Sequence, residues 1–462
     1  MDQRTRHLWQ RGLGHYQSGN LDAARACFEG VVRRDPGHGS ALALLAKAQL
    51  ASGDTVQARA NGLSAAALPD LTVGTLDTLA VTLSQLGEYA AAITTFDAAL
   101  ALLPSSPGIH FNRALAQLTA GETEEGEHSL EACLALDENF LKALWLLAQL
   151  RRVTGKAAPI AGLNPPKLHL LGTTAEQEVL TLAAFQELEG LGRPDDAWTA
   201  LADAISMRQQ QPTYPALPWS SLRAVLTEPL LLPSEPPGPV FLIGLQRSGV
   251  AVLSRLLTRH PKIHSIGMVP AFSHRLDAAL SRTHGANTHW QIPAMAATLV
   301  DLDFAALGRD YLEHVQAPSD AEKIICESVP MNALLVGAIA RALPQARFLL
   351  LTRDSLDNAL SLLALPRADA GIGNESAAQL ADELELHRNL MQHWRDVLPG
   401  RIMDVQYESL VHKPEMVLRV ACAFLGLRYT ASLDTHDLHE HCIDRAQVYA
   451  KRLDPRLRGN DR

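Results

Sequence analysis

Two short stretches of this chain carry residues of the kind that hold anionic groups. The first, Pro239-Val-Phe-Leu-Ile-Gly244-Leu-Gln-Arg247-Ser248-Gly249-Val250, passes from an apolar strand pattern into a Gly-x4-Gly turn and then an amphipathic helix pattern. That order is the shape of a phosphate-binding loop, where backbone N–H groups and a helix N-terminus face the anion. Nucleoside triphosphatases place Lys and then Ser or Thr after the second glycine, for the β/γ-phosphates and Mg²⁺. Here Val250 and Ala251 stand there, and the cation, Arg247, lies inside the loop. A guanidinium clamps a terminal phosphate without a metal. The stretch therefore predicts a metal-independent nucleotide site and argues against a P-loop kinase, although a bare Gly-x4-Gly also serves ordinary strand–turn–helix units. In the second stretch the strand pattern Arg347-Phe-Leu-Leu-Leu-Thr352 ends at Arg353-Asp354, and Ser361 follows eight residues on. Arg353 then stands at a strand C-terminal end, and Ser361 lies two turns along the next helix on about the same face. A guanidinium and a hydroxyl suit a second phosphate; a surface arginine and a helix-face serine fit the same spacing.

The elements that must position these residues fall into two halves. Over residues 1–155, Gly19, Gly53, Gly87, Gly121 and Gly155 recur every 34 residues, the period of the tetratricopeptide repeat. The copy Leu86-Gly87-Glu-Tyr89-Ala-Ala-Ala92-Ile-Thr-Thr-Phe96-Asp-Ala-Ala99, closing at Pro104, reads as a helical hairpin with glycine in its turn and small residues at the helix contact. One hairpin cannot bury its apolar faces, so the units are expected to stack into a solenoid. Residues 156–211 read as a loop and then a helical pair, about 174–210, that caps the solenoid. A Pro-rich linker covers 212–238. From 239 to 462, short apolar runs (239–244, 262–266, 323–327, 347–352, 401–406) alternate with helix patterns (250–259, 332–343, 355–364, 377–397, 415–425). That alternation predicts an α/β domain with a mostly parallel sheet and ligands at the strand C-terminal ends.

Composition narrows the class. The chain has 462 residues, 47% of them hydrophobic and 20% charged, as a globular protein does. Its net charge of −9 offers no phosphate-neutralising excess for nucleic acid. The five cysteines, Cys27, Cys133, Cys326, Cys422 and Cys442, are never spaced as metal ligands and read as free thiols. No apolar run approaches the roughly 18 residues of a membrane helix, and Met1-Asp-Gln-Arg opens without a signal pattern. A cytoplasmic protein without membrane insertion is expected.

The second half resembles the sulfotransferase family, particularly the bacterial repeat-bearing branch related to protein-tyrosine sulfotransferases. The likeness covers about 239–450. It rests on the Gly244–Gly249 loop, His260-Pro261, Pro330-Met-Asn332, Arg353-Asp-Ser-Leu-Asp357-Asn-Ala-Leu-Ser361, and Tyr407-Glu-Ser-Leu410 with Phe424-Leu-Gly-Leu427. It implies a P-loop-like domain that uses 3′-phosphoadenosine-5′-phosphosulfate (PAPS) and no metal. Arg247, Ser248, Gly249 and the backbone of Val250 would hold the 5′ end, and Arg353 and Ser361 the 3′-phosphate. It further implies transfer of a sulfonate to a hydroxyl, tyrosine among the candidates, on a protein, peptide or glycan recruited by the repeats.

The chain departs from the family where chemistry is done. The branch ends its His-Pro segment in Gly-Glu, the glutamate being the base; this chain has Gly267-Met268. The branch's Asp-Lys-x-Pro-x-x-Asn supplies a catalytic lysine; here the text is Glu327-Ser328-Val-Pro330-Met-Asn332. The two threonines that follow the loop are replaced by Val250-Ala251. His264 and Glu327 are the nearby candidates to replace the base, although strand alternation points Glu327 and Ser328 to opposite faces. The alternative reading is a degenerate sulfotransferase-like domain on a repeat scaffold, serving protein binding or nucleotide sensing. The tail, 451–462, reads as a frayed basic terminus.

Overall fold

The computed structural model describes residues 2–69, 71–156, 158–160, 163, 173–210, 219–231, 238–284, 299, 302–316, 322–369, 372–430 and 443–458. Four helical hairpins open the chain: α1 (Gln3–Gln17) with α2 (Leu21–Arg34), α3 (Gly39–Ala51) with α4 (Thr55–Ala66), α5 (Val73–Gln85) with α6 (Tyr89–Leu102), and α7 (Pro107–Ala120) with α8 (Thr123–Leu136). Next come α9 (Leu141–Thr154), α10 (Thr174–Gly190) and α11 (Pro194–Arg208). The five periodic glycines all take positive φ, from 70° to 94°, the turn conformation that the period implied. Asn20 and Asp54 cap α2 and α4 through their side chains. Small and apolar residues such as Ala24, Phe28, Ala92, Phe96 and Ala99 fill the hairpin contacts.

The second half is a parallel sheet of five strands: β1 (Val240–Gly244), β2 (Ile263–Ser265), β3 (Ile324–Glu327), β4 (Arg347–Thr352) and β5 (Ile402–Gln406), in the order β2-β3-β1-β4-β5. Each expected apolar run contains its strand. Alternation along β1 and β4 sends Phe241, Ile243, Phe348 and Leu350 into one core and Val240, Leu242, Leu349 and Leu351 into another. Layers therefore cover both faces, as a parallel sheet requires. On the second face lies α13 (Val250–Leu257), after a short α12 (Trp219–Arg223). On the first lies α14 (Ala271–His284), which no expected helix covered.

Three expectations change. The 174–210 pair does more than cap: Leu182, Phe185, Ala197, Leu201 and Ala204 belong to the same core as Phe241 and Phe348. The Pro-rich stretch is no linker where it is described. Trp219 and Leu222 on α12 are buried, and the Trp219 indole donates to Glu383 at 2.6 Å; the rest of that stretch, 212–218 and 232–237, lies outside the described residues. The tail is docked up to residue 458, because Ala446, Tyr449, Leu453 and Leu457 bury their side chains between charged neighbours. Trp198 stacks on Tyr449 at 5.6 Å, and Arg445 pairs with Glu189 on α10.

The solenoid meets the sheet domain edge-on through its hairpin turns. Met268 N–H donates to Gln85 O at 3.1 Å, Arg275 to Ser52 O at 2.8 Å and Thr55 to His314 O at 3.3 Å. At Gly267, with φ +78°, an added Cβ would stand 2.1 Å from Gln85 O and 2.6 Å from Leu86 C. Both are backbone atoms, and neither can yield as a side chain would. Gly267→Ala is expected to cost about 2–5 kcal/mol, the sum of the left-handed backbone penalty and overpacking. Calorimetry should show the melting transition lowered and divided between the two halves; one unshifted transition would contradict this account of the interface.

Candidate active site

The Gly244–Gly249 loop joins β1 to α13 at the C-terminal edge of the sheet, where parallel α/β domains hold ligands. Arg247 adopts φ +66°, a left-handed conformation that non-glycine residues seldom take. Side chains from the next unit of the sheet hold it there. Arg353 Nη1 donates to Arg247 O at 3.0 Å, and Asn358 Nδ2 to Gln246 O at 3.1 Å. Both loop carbonyls are thus engaged from outside. The first turn of α13 has no side-chain cap, and with Val252 N–H donated to Gly249 O at 3.0 Å it is the Val250 and Ala251 amides that are left for an anion or water. Ser248 is buried and donates to Leu245 O at 2.7 Å, closing the loop on itself. The Val250 side chain lies in the core, so only its backbone is available to a ligand.

Arg353 lies 5.1 Å from the ring centroid of Tyr407, and that ring also packs against Gly249. Asp354 caps the Ser355–Leu363 helix, and its own N–H is received by Glu408 at 2.9 Å. From this point a cleft of about 1110 Å³ opens, lined by Ser248, Thr352, Arg353 and Asn358 at one end and by the Ala377–Val397 helix at the other. Asp444 and Arg456, from the docked tail, form part of its wall. Three further arginines in the lining face carboxylates: Arg388 pairs with Glu385 at 2.7 Å, Arg395 with Asp404 at 2.6 Å and Arg456 with Asp382 at 2.8 Å. At the loop end Arg353 stands beside the uncapped first turn of α13. Ser361 does not line the cleft; it is buried and its hydroxyl donates to Asp357 O at 2.7 Å, spending its proton on its own helix. Asn358, Tyr407 and the tail residues were not singled out from sequence as site groups. For Asn358 the signal was available, five residues after Arg353 on the helix that follows it.

The candidate base replacements sit differently. Glu327, at the end of β3, is fully buried. Its carboxylate receives Tyr311 Oη at 2.9 Å, Asn332 Nδ2 at 2.8 Å and Phe272 N–H at 3.3 Å. Burial pushes its pKa up to about 7 against those donors. Through Phe272 N–H it holds α14 to the sheet. Ser328 points the other way, as strand alternation requires, and shares a hydrogen bond with Ser254 on α13 at 2.7 Å. His264 Nε2 meets the Arg59 guanidinium, and since arginine only donates, that nitrogen is the acceptor and Nδ1 carries the proton. Its lone pair is engaged. Met268 is 61% exposed, at the solenoid contact.

Comparison with known proteins agrees with this division. Residues 239–431 match the sulfotransferase family, and residues 15–60 and 82–121 match tetratricopeptide repeats. An uncharacterised protein of Aquifex aeolicus is 26% identical over 196 residues, 41% of this chain and 25% of its own length. A putative protein-tyrosine sulfotransferase of Caenorhabditis briggsae is 26% identical over 214 residues, 45% of this chain and 71% of its own. Protein-tyrosine sulfotransferase 2 of Gallus gallus is 21% identical over 209 residues, 43% of this chain and 53% of its own. The chain thus spans a quarter of the first relative and about half of the third. A sulfotransferase-family domain stands behind tetratricopeptide repeats. Among the described residues no cluster of His, Cys, Asp or Glu is arranged to hold a metal ion, and no helix is long and apolar enough to cross a membrane.

Proposed function

We propose that this chain, a sulfotransferase-family domain joined to tetratricopeptide repeats, transfers the sulfonate of PAPS to a hydroxyl on a protein, peptide or glycan recruited by the repeats. The observation that carries the reading is the pinned loop. With the carbonyls of Gln246 and Arg247 held by Asn358 and Arg353, the amides at the start of α13 are left for the 5′-phosphosulfate. Arg353 supplies positive charge at the same end of the cleft. The residues fit the donor in a second respect. Asn358 Oδ1 is buried with no hydrogen-bond partner among the described residues, an acceptor that a ribose hydroxyl or adenine amine would satisfy.

In such a transfer the acceptor oxygen attacks sulfur in line while adenosine 3′,5′-bisphosphate departs. The loop amides and Arg247 would offset charge on the leaving phosphate. The degenerate reading draws on Met268 and on Ser328, whose hydroxyl is spent on Ser254. Titration calorimetry with adenosine 3′,5′-bisphosphate tests the donor site. Micromolar binding is expected for the wild type, and Arg247→Ala should weaken it roughly tenfold through loss of a charge-assisted contact. Absence of binding by the folded wild type would leave the degenerate scaffold as the surviving account.

A further inference from the structure

The docked tail touches the cleft at both of its ends and the repeats in between. Asp444, at φ +57°, lines the cleft, and so do Pro455 and Arg456. Arg456 donates to Asp382 on the Ala377–Val397 helix at 2.8 Å, a bond between two lining residues. The stretch between these ends rests on the last solenoid helices. Arg445 Nε donates to both oxygens of Glu189 on α10, at 2.8 and 2.7 Å, and its guanidinium lies 5.3 Å from the centroid of the Phe185 ring. Arg152 on α9 approaches the same carboxylate at 3.5 Å. The Tyr449 ring packs against Phe185 at 6.3 Å and Trp198 at 5.6 Å, and Arg452 pairs with Asp195. Facing the other way, Ala446 N–H donates to Asp357 Oδ1 at 2.6 Å. Asp357 adjoins Asn358 and follows Arg353, the two residues whose side chains hold the anion loop. Consecutive tail residues, Arg445 and Ala446, thus join α10 to the helix that pins the loop.

We infer that the α10–α11 hairpin latches the tail along the donor cleft, with Glu189 as a positioning residue for donor binding. The inference rests on the transferase reading above. Asp444 and Arg456 stand in the cleft wall only while the segment between them is docked. Of the ion pairs that dock it, Arg452–Asp195 and Arg456–Asp382 are exposed, and such pairs hold weakly. Arg445 and Glu189 each keep less than a tenth of their side-chain surface exposed, and a shielded pair is costly to break. The latch is therefore Glu189. A ligand that needs the docked tail has its dissociation constant divided by the docked fraction, so docking in about one molecule in ten weakens it about tenfold. By reciprocity the ligand stabilises docking by the same factor. Donor affinity then depends on a carboxylate of the repeat half that is itself outside the cleft lining.

Glu189→Gln keeps the side chain's shape and removes its charge, and Arg445→Lys keeps a charge without the fork. Arg151→Gln is the control, since its ion pairs with Glu127 and Glu131 lie within the repeats. The full-length wild type and these variants, each checked for folding by circular dichroism, are titrated with adenosine 3′,5′-bisphosphate. Amide hydrogen exchange over residues 446–453 is followed with and without it. In the wild type the bisphosphate should slow that exchange. Glu189→Gln should speed it and weaken the bisphosphate roughly tenfold through faster dissociation, with Arg445→Lys in between and Arg151→Gln like the wild type. If Glu189→Gln does not fold, Arg445→Lys and the wild-type protection decide. Affinity unchanged in the folded latch variants overturns the latch while the transferase reading stands. So do an equal loss in Arg151→Gln and a wild type that binds the bisphosphate without slowed exchange in the tail. A folded wild type that does not bind the bisphosphate overturns the reading and the inference together.

Discussion

Glu178→Ala should destabilise the protein by about 3–5 kcal/mol, the cost of leaving a buried charge without its partner. The charge is Arg208, at the end of α11, with none of its surface exposed. Its Nε donates to Glu178 Oε1 at 2.7 Å, Nη1 to Asn374 O at 3.1 Å and Nη2 to Leu365 O at 2.6 Å. The same Glu178 oxygen receives Arg367 N–H at 2.9 Å. One ion pair thus fastens the last solenoid helices to the backbone beyond the Ser355–Leu363 helix. Desolvation already pulls the Arg208 pKa down, and Glu178 is the main influence holding it up. Removing the carboxylate leaves the guanidinium buried, hydrogen-bonded to two carbonyl groups and with Glu375 as the remaining carboxylate whose charge it feels. Glu178→Gln keeps an oxygen for both N–H donors and should cost markedly less. Urea denaturation followed by circular dichroism gives both values; an alanine variant within about 1 kcal/mol of wild type, the ordinary range for exposed pairs, would show that the junction does not depend on this contact.

That junction also marks where sequence reading ends. Local signals were legible: each strand is a short apolar run, and the Ala377–Val397 helix has the bounds its periodicity gave. The repeats announced themselves because one turn geometry recurs at a fixed spacing. The anion loop was legible as well, since its residues are consecutive. What could not be read was contact between distant segments. His264 reads as a spare base until Arg59, 205 residues away, takes its lone pair. Ser361 has the spacing to face a ligand, yet a helical serine can bond to the carbonyl four residues back, and this one does. The tail looked frayed because Leu453 and Leu457 are flanked by charges; their burial depends on a groove made by other helices.

Arg353→Ala should weaken binding of adenosine 3′,5′-bisphosphate roughly 10²-fold. Two losses combine. Hydrogen bonds to charged groups are worth about 1.5–3 kcal/mol, and Arg353 is the lining cation at the anion end of the cleft. The second loss is indirect. Arg353 Nη1 holds Arg247 O while Arg247 stays at φ +66°, and a strained residue of this kind persists only while its surroundings over-determine it. Without that hold the loop can relax, turning amides away from the ligand. Together about 3 kcal/mol is lost, or two powers of ten. Asn358→Ala removes the hold on Gln246 O and the Oδ1 acceptor offered to the nucleotide and should cost about one power of ten. Arg353→Lys keeps the charge without the planar fork that spans loop and ligand, so it should fall between them. Salt separates the two contributions. Wild-type affinity should decline with ionic strength more steeply than that of Arg353→Ala, since screening acts on the charge, whereas Asn358→Ala should keep the wild-type slope. An Arg353→Ala affinity within threefold of wild type would mean that the anion binds elsewhere in the cleft and that the pinned loop is an ordinary strand-to-helix turn.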